Sequence, residues 1–402
     1  MPWISVWCKP SGEVYPCCAA NMQAPSELGH LGRENLKDVF NGERIKELRR
    51  LFRSGKLDEN VCAKCISREK VQGESLRTLM DKKFGRLAAE LLGRTDDDGT
   101  FEDFKLLFVD FVWSNKCNFK CVHCTPVVSS ALATIPEFRE FYAYHNDKME
   151  QLTAVNGGVL DEFMSKLDSI DTIHFNGGEP FVIEEHFQIL EHLIKIGRTD
   201  ARLWFHTNGS TLGPPQKNIL DYLKHFKNVR VSFSQDGIGE RGGYVRHGYS
   251  DEKFIKHVRT LKEVVQQVSF GVCAHGLNVW HLTDILDWHL DHGTLDLKDP
   301  NLGINVIVDP QFIRYDVHDE ATRTAAADRI SEWLPRRKAH IPASIVQRLE
   351  SVTAGLRRDS AVVTADWERF KNYLDIKNSV LKQDARVVFP EYGEFFDKVG
   401  YA

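Results

Sequence analysis

The sequence predicts an α/β protein: an open six-stranded (β/α)6 partial TIM barrel, with a small cysteine-rich unit before it and a helical region after it. Three observations lead there. Short apolar runs recur from about residue 104, namely KLLFVDFVW, TIHFNGG, ARLWFHTNG, VRVSFSQDG, VSFGVCAHG and LGINVIVDP. Helix-patterned stretches such as EEHFQILEHLIKIG and DEKFIKHVRTLKEVVQQ separate most of them, and that alternation marks parallel β/α units. Six strands are too few to close an eight-stranded barrel of this type, so an open half-barrel is expected.

In chain order, residues 1–100 form a cysteine-rich unit. WISVWCKPSGEVYPCC reads as a hairpin with Ser-Gly at its turn, and GERIKELRRLFRSG as an amphipathic helix. The polar, Gly/Asp-rich segment 93–103, GRTDDDGTFED, reads as a linker. Residues 101–312 carry the six strands. Four of these end in NGG, TNG, QDG or AHG, and loops at the carboxyl ends of parallel strands are where ligands bind. Residues 313–402 are charged and helix-patterned, as in ATRTAAADRISEWLPRRKAH.

At 402 residues, 42% hydrophobic and 27% charged, the chain has the composition of a soluble globular protein. Its net charge of -5 supplies no general attraction for nucleic acid. The opening MPWISVWCKP lacks the basic and apolar regions of a signal peptide, and no apolar run is long enough for a membrane helix. A cytoplasmic protein is expected, in which closely spaced cysteines bind metals or do chemistry.

Nine cysteines fall into three groups: Cys8, Cys17, Cys18, Cys62 and Cys65; Cys117, Cys121 and Cys124; and Cys273. The second group lies in SNKCNFKCVHC, with three and then two residues between thiols, directly after the first strand. Three thiolates can hold three corners of a [4Fe–4S] cluster and leave one iron for an outside ligand. A redox CxxC pair, or half a zinc site with Cys117 incidental, is the alternative. The second strand ends in HFNGGEP, where Gly177 and Gly178 let backbone approach a ligand closely.

With CxxxCxxC at Cys117, Cys121 and Cys124, and a glycine-rich strand end at Gly177, Gly178, Glu179 and Pro180, the sequence resembles the radical S-adenosylmethionine (radical SAM) superfamily. The resemblance implies that the open iron chelates S-adenosylmethionine, which one electron cleaves to methionine and a 5′-deoxyadenosyl radical. A one-electron donor such as flavodoxin or ferredoxin is implied as partner. His123 stands where the family usually has an aromatic residue near the adenine. Ser234 and Asp236 match its Ser-x-Asp-Gly strand end, near the ribose and methionine. Arg246 is placed to pair with the methionine carboxylate, as a bidentate guanidinium would; a surface arginine is the alternative. Thr207 and Asn208 either line the cleft or make a turn.

Cys8, Cys17, Cys62 and Cys65 could meet in one closed four-thiol site, for which spacing alone favours structural zinc. SGEVYPCC and the segment running to NVCAKC and REKVQGESLR resemble the auxiliary-cluster ("twitch", or reduced SPASM) segment of radical SAM maturases, here preceding the barrel. That likeness implies an auxiliary [4Fe–4S] cluster, with Cys18 an alternative to Cys17. Cys273, beside His275, is either a hydrogen-atom donor to a substrate radical or a buried thiol. The function implied is hydrogen abstraction from a peptide or small-molecule substrate in a maturation, oxidation or epimerisation. A non-catalytic iron–sulfur electron carrier, a zinc-stabilised binding protein and an RNA-modifying enzyme are the other readings.

Overall fold

The computed structural model describes residues 2–401 apart from 23, 73–74, 104, 146–149, 297–300 and 360–361. Its strands are β1 Trp7–Cys8, β2 Glu13–Tyr15, β3 Gly29–His30, β4 Phe108–Phe111, β5 Lys120–Cys121, β6 Thr172–Phe175, β7 Arg202–Thr207, β8 Asn228–Ser234, β9 Arg246–His247, β10 Gln267–Ala274 and β11 Leu302–Val306. The six predicted β/α strands are β4, β6, β7, β8, β10 and β11, so the α/β class and the parallel pairing follow the expectation. The chain divides into two compact units: Met1–Lys116, Met149–Phe205 and Pro215–Val229, and the remainder.

In the first unit β4, β6 and β7 run parallel, with Val109 opposite Ile173 and Phe175 opposite Phe205. Side chains alternate across a strand, and one face is a row of aromatic and aliphatic groups. Phe175 stacks on Phe205 with centroids 4.4 Å apart. The helix Glu184–Lys195 buries Phe187, Ile189, Leu190 and Leu193. The hairpin read from WISVWCKPSGEVYPCC forms: β1 pairs antiparallel with β2, and Gly12 takes φ +104° in the turn. It also does what the sequence did not announce. β1 adds parallel to the edge of β4, with Trp7 opposite Asp110 and Cys8 opposite Phe111.

The segment read as a linker is tied down instead. Arg49, fully buried on the helix Glu43–Arg53, donates to the Gly99 carbonyl at 3.2 Å, the Pro2 carbonyl at 2.9 Å and the Phe40 carbonyl at 2.7 Å. Asn41 exchanges bonds with the backbone of Phe101, and Lys46 pairs with Asp98 at 3.1 Å. A Gly/Asp-rich sequence has the backbone freedom of a linker. It is also rich in carbonyl and carboxylate acceptors, and four cations on one helix, Lys46, Arg49, Arg50 and Arg53, use them.

In the second unit β8, β10 and β11 run parallel, with Phe233 opposite Phe270 and Gly271 opposite Gly303. The helix Asp251–Lys262 begins on the Ser250 side chain, which accepts from Lys253 N–H, the expected use of an N-cap serine. The C-terminal helices Glu320–Arg337, Ala343–Leu356 and Thr364–Leu381 belong to this unit. Phe370, Tyr373, Leu374, Phe395 and Phe396 share a core with Val122, Phe138, Tyr244 and Phe312. Each such side chain, fully buried, contributes about 1.5–3 kcal/mol. His281 is held between Asp284 (2.9 Å) and Glu391, and Arg241 reaches Glu391 at 3.4 Å. The helical extension is therefore built into the unit that carries Cys121. Among the described residues no helix is long and apolar enough to cross a membrane.

Replacing Arg49 with methionine keeps much of the packing and removes every donor to these carbonyls. Urea unfolding of Arg49→Met is expected to show a loss of about 3 kcal/mol, with proteolysis newly appearing between residues 93 and 103.

Candidate functional site

The cysteine loop is organised by backbone before any side chain is considered. β5 pairs antiparallel with β9, setting Cys121 opposite Arg246 and Lys120 opposite His247. Val122 N–H bonds the Val245 carbonyl at 2.9 Å. Ser130 accepts from Cys117 N–H at 3.0 Å, and Asn118 donates to Ser210 Oγ at 2.8 Å while its own oxygen accepts from Asn208 Nδ2 at 2.9 Å. Cys117, Cys121 and Cys124 act on one another as a single group. The neighbouring Cys124 thiol lowers the Cys121 pKa, and Arg246 adds to that effect. Arg246 Nη1 lies 3.7 Å from Cys121 Sγ. Lys377, fully buried on the helix Thr364–Leu381, also faces Cys121, and burial brings its pKa down to about 7.

Arg246 is not a surface arginine. Its Nε bonds Asp236 Oδ2 at 2.6 Å, and both groups are buried. Asp236 Oδ1 accepts from Cys273 N–H at 2.7 Å. Burial opposes the Asp236 charge, yet Arg246, His123, His275 and the Cys273 N–H together hold its pKa below the usual carboxylate value. His123 Nδ1 is 3.6 Å from Asp236 Oδ2, and its ring lies 5.8 Å from that of His275 at 31°. Burial lowers both imidazoles, His123 to about 4 and His275 to about 3. His123, Asp236 and Cys273 bring ligand-type atoms within 4.8 Å of one another. The guanidinium on Asp236 makes that trio a poor cation site. Burial, then Asp236, push the Cys273 thiol up to about 12, so it stays protonated. Ser234 closes β8 opposite Gly271.

Gly177, Gly178 and Glu179 belong to the first unit, where their close approach is to this chain's own backbone. Gly178 N–H bonds the Ser114 carbonyl at 3.2 Å, and Glu179 N–H bonds the Lys116 carbonyl at 2.8 Å. A Cβ on Gly178 would stand 2.1 Å from Lys116 O, and one on Gly177, at φ +126°, would stand 2.6 Å from Ser114 O. Glu179, fully buried, accepts from Phe181 N–H at 3.1 Å. The glycines thus grip the residues that lead into Cys117.

Of the N-terminal thiols, Cys17, Cys62 and Cys65 line one small cavity with Leu48, Phe52 and Arg77. Cys62 and Cys65 open the helix Ala63–Gln72, and burial followed by Cys17 and Cys65 raises the Cys62 pKa to about 11. Cys8 is not among that cavity's lining residues; fully buried on β1, its thiol donates to the Lys9 carbonyl at 3.3 Å. Burial, then the Asp110 carboxylate, raise the Cys18 pKa.

Residues 111–289 match the family model described as the radical SAM superfamily, and residues 1–66 match that of the SPASM iron–sulfur cluster-binding domain. Residues 111–289 therefore form a radical SAM domain. That domain brings a [4Fe–4S] cluster with S-adenosylmethionine, and the SPASM match brings an auxiliary iron–sulfur cluster. The donor sets fit. Three thiols with two buried cations facing them suit a cluster. Beside Asp236, His123 Nδ1 and His275 Nε2 are buried without a hydrogen-bond partner among the described residues, as a polar ligand requires. No curated protein matches the chain. Among solved structures it is similar to native anSMEcpe with bound AdoMet (13% identity, TM-score 0.37, covering 69% of this chain and 62% of that one). It is also similar to Streptococcus suis SuiB bound to precursor peptide SuiA (14%, 0.37, 84% and 70%) and to TYW1 with a lysine-pyruvate adduct bound (14%, 0.31, 59% and 72%). The chain spans less than two thirds of the anSMEcpe chain. Likeness at this level leaves reaction and substrate open.

Asn118, Asn278 and Lys377 escape sequence reasoning. Asn278 Nδ2 donates to the carbonyls of both Asp236 and Cys273 at 2.9 Å, while its oxygen accepts from His275 N–H at 2.7 Å. The spacing CNF offers one weak signal for Asn118; a helix lysine hundreds of residues away offers none.

Gly178→Ala is expected to lower stability by about 3 kcal/mol, because backbone, not a flexible side chain, must move. Chemical denaturation measures it, and iron bound after reconstitution should fall with it.

Proposed function

We propose that this radical SAM protein abstracts a hydrogen atom from an unreactive carbon of a peptide or small-molecule substrate, in a maturation, oxidation or epimerisation. The observation that carries the reading is the thiol loop of Cys117, Cys121 and Cys124 with Arg246 and Lys377 facing it, backed by buried polar atoms around Asp236. When bound, the cluster and S-adenosylmethionine supply a 5′-deoxyadenosyl radical. The chain's residues do the rest. The three thiols hold iron, and the two cations offset thiolate charge in a site where such charge is poorly screened. Ser234, Asn208, His123 and the Asp236–Arg246 pair present polar groups to the co-substrate. Gly177, Gly178 and Glu179 fix the chain entering the loop. Cys17, Cys62 and Cys65 hold the auxiliary cluster, placed to take an electron from the product or to position substrate. The substrate class follows the auxiliary segment's likeness to that of maturases.

The test uses protein reconstituted without oxygen, S-adenosylmethionine and a one-electron reductant of the flavodoxin or ferredoxin class. About eight irons per chain and formation of 5′-deoxyadenosine are expected. A fully loaded protein that binds S-adenosylmethionine yet makes no 5′-deoxyadenosine, with substrate candidates present, is an electron carrier and not this enzyme.

Cys273 is proposed to donate a hydrogen atom: its S–H bond breaks, the substrate radical becomes C–H, and the thiyl takes one electron from that donor and a proton from solvent. Its backbone bond to Asp236 survives Cys273→Ala. In D2O the wild type should place deuterium in product. The variant should still make 5′-deoxyadenosine while incorporating roughly tenfold less deuterium, a factor worth about 1.4 kcal/mol in the partition of the radical. Unchanged incorporation removes the role.

A further inference from the structure

The two buried cations that face the Cys117 loop are not equivalent. Arg246 is committed to a full carboxylate, its Nε on Asp236 Oδ2 at 2.6 Å with both groups buried. Seen from Cys121, that pair is close to a dipole. Lys377 has no such partner. It is wholly buried on the helix Thr364–Leu381, and among the described residues no carboxylate pairs with it. Its Nζ donates to Gln383 Oε1 at 3.0 Å and stands 4.6 Å from the centre of the Tyr244 ring. That is one neutral acceptor and one π face for three N–H donors. The charges acting on it are Cys121, which favours the ammonium, and Lys120, which opposes it.

Tyr244 places this ammonium beside the loop through the backbone. The next residue, Val245, accepts from Val122 N–H at 2.9 Å, and the one after, Arg246, stands opposite Cys121. Val122, Tyr244 and Val245 share one apolar core with Tyr373 and Leu374 of the lysine's own helix. Protein and not water therefore surrounds Lys377, and Coulomb interactions there are far stronger than across solvent. A buried lysine is costly unless an anion faces it. Neither the packing nor the single bond to Gln383 requires a charge.

We propose that Lys377 sets the reduction equilibrium of the cluster on Cys117, Cys121 and Cys124, its charge favouring the one-electron-reduced state. The inference rests on the cluster reading above and goes beyond it by giving the C-terminal helix a redox role. Reduction adds one negative charge to a site that already holds three thiolates. The electron comes from the flavodoxin- or ferredoxin-class donor and stays on the iron, with no bond formed or broken. A fixed, unpaired cation stabilises the reduced state over the oxidised one; the Arg246–Asp236 pair, nearly neutral as a unit, separates the two states less.

The experiment is a redox titration of the full chain, reconstituted without oxygen and followed by electron paramagnetic resonance. The signal that S-adenosylmethionine perturbs reports the Cys117 cluster, and the signal it leaves alone reports the auxiliary cluster as an internal reference. Lys377→Met is expected to bind as much iron and sulfide as the wild type. Its Cys117 cluster should be about tenfold harder to reduce, about 59 mV for one electron, while the auxiliary signal keeps its potential. Lys377→Gln, a second neutral side chain, should do the same, and Lys377→Arg should recover most of the loss. Gln383→Leu removes the hydrogen bond but leaves the charge, and should change the equilibrium by less than about twofold, under 20 mV. An unchanged potential in loaded Lys377→Met or Lys377→Gln overturns the inference and leaves the cluster reading standing. So does a Gln383→Leu shift as large as theirs, or an equal shift of both clusters. Wild-type protein with no signal that answers to S-adenosylmethionine overturns both.

Discussion

The second unit is arranged around one buried ion pair, Asp236 with Arg246 at 2.6 Å. Two opposite charges withdrawn from water are tolerated only when their geometry is good and their remaining donors and acceptors are used. Here they are. Asp236 accepts from the Cys273 backbone at the end of β10, and its own carbonyl is taken by Asn278. Arg246 sits on the two-residue β9, directly opposite Cys121 on β5, and turns a second nitrogen toward that thiol. One pair thereby fixes the strand end carrying Asp236, the strand end carrying Cys273 and the loop carrying the cysteines. Removing either partner alone would leave a buried charge, at a cost of about 3–5 kcal/mol.

Charge balance explains why the C-terminal region joins this unit. Thiolates gathered on a short loop repel one another, and burial penalises each one further. Arg246 answers from within the β/α framework, and Lys377 answers from the helix Thr364–Leu381. Lys377 is held there by Gln383 at 3.0 Å and by the Tyr244 ring at 4.6 Å. A buried lysine with so few partners is costly unless an anion faces it. The apolar core shared by Val122, Tyr244, Tyr373 and Phe396 brings that lysine close. Packing and electrostatics therefore act on the same helix for different reasons.

In the first unit, the reading of single residues depended on what their neighbours needed. Adjacent thiols Cys17 and Cys18 are alike on paper and have different neighbours, one lining a cavity with Cys62 and Cys65 and the other acted on by the Asp110 carboxylate. The β1 strand could pair with its hairpin partner from sequence alone, but its second pairing, with β4, needed the chain to return about a hundred residues later. Segment 93–103 looked like a linker because linkers and anchored loops share a composition. Only the position of Arg49 tells them apart.

By itself the sequence determined the six strands, because apolar runs ending in polar or glycine turns are local signals, and it determined the trio Cys117, Cys121 and Cys124, because ligands crowded into eight residues must come together wherever the loop lies. The hairpin with Gly12 at its turn was equally local. Tertiary structure decided which thiols of the N-terminal five converge, that Gly177 and Gly178 press on Ser114 and Lys116, and that Arg246 meets Asp236. Asn278 and Lys377 became visible only there. The physical reason is range: turn, strand and chelate patterns are set by neighbours a few residues apart. A buried polar group, in contrast, is satisfied by whatever the folded chain brings within about 3 Å, and that distance is not written in any single stretch of sequence.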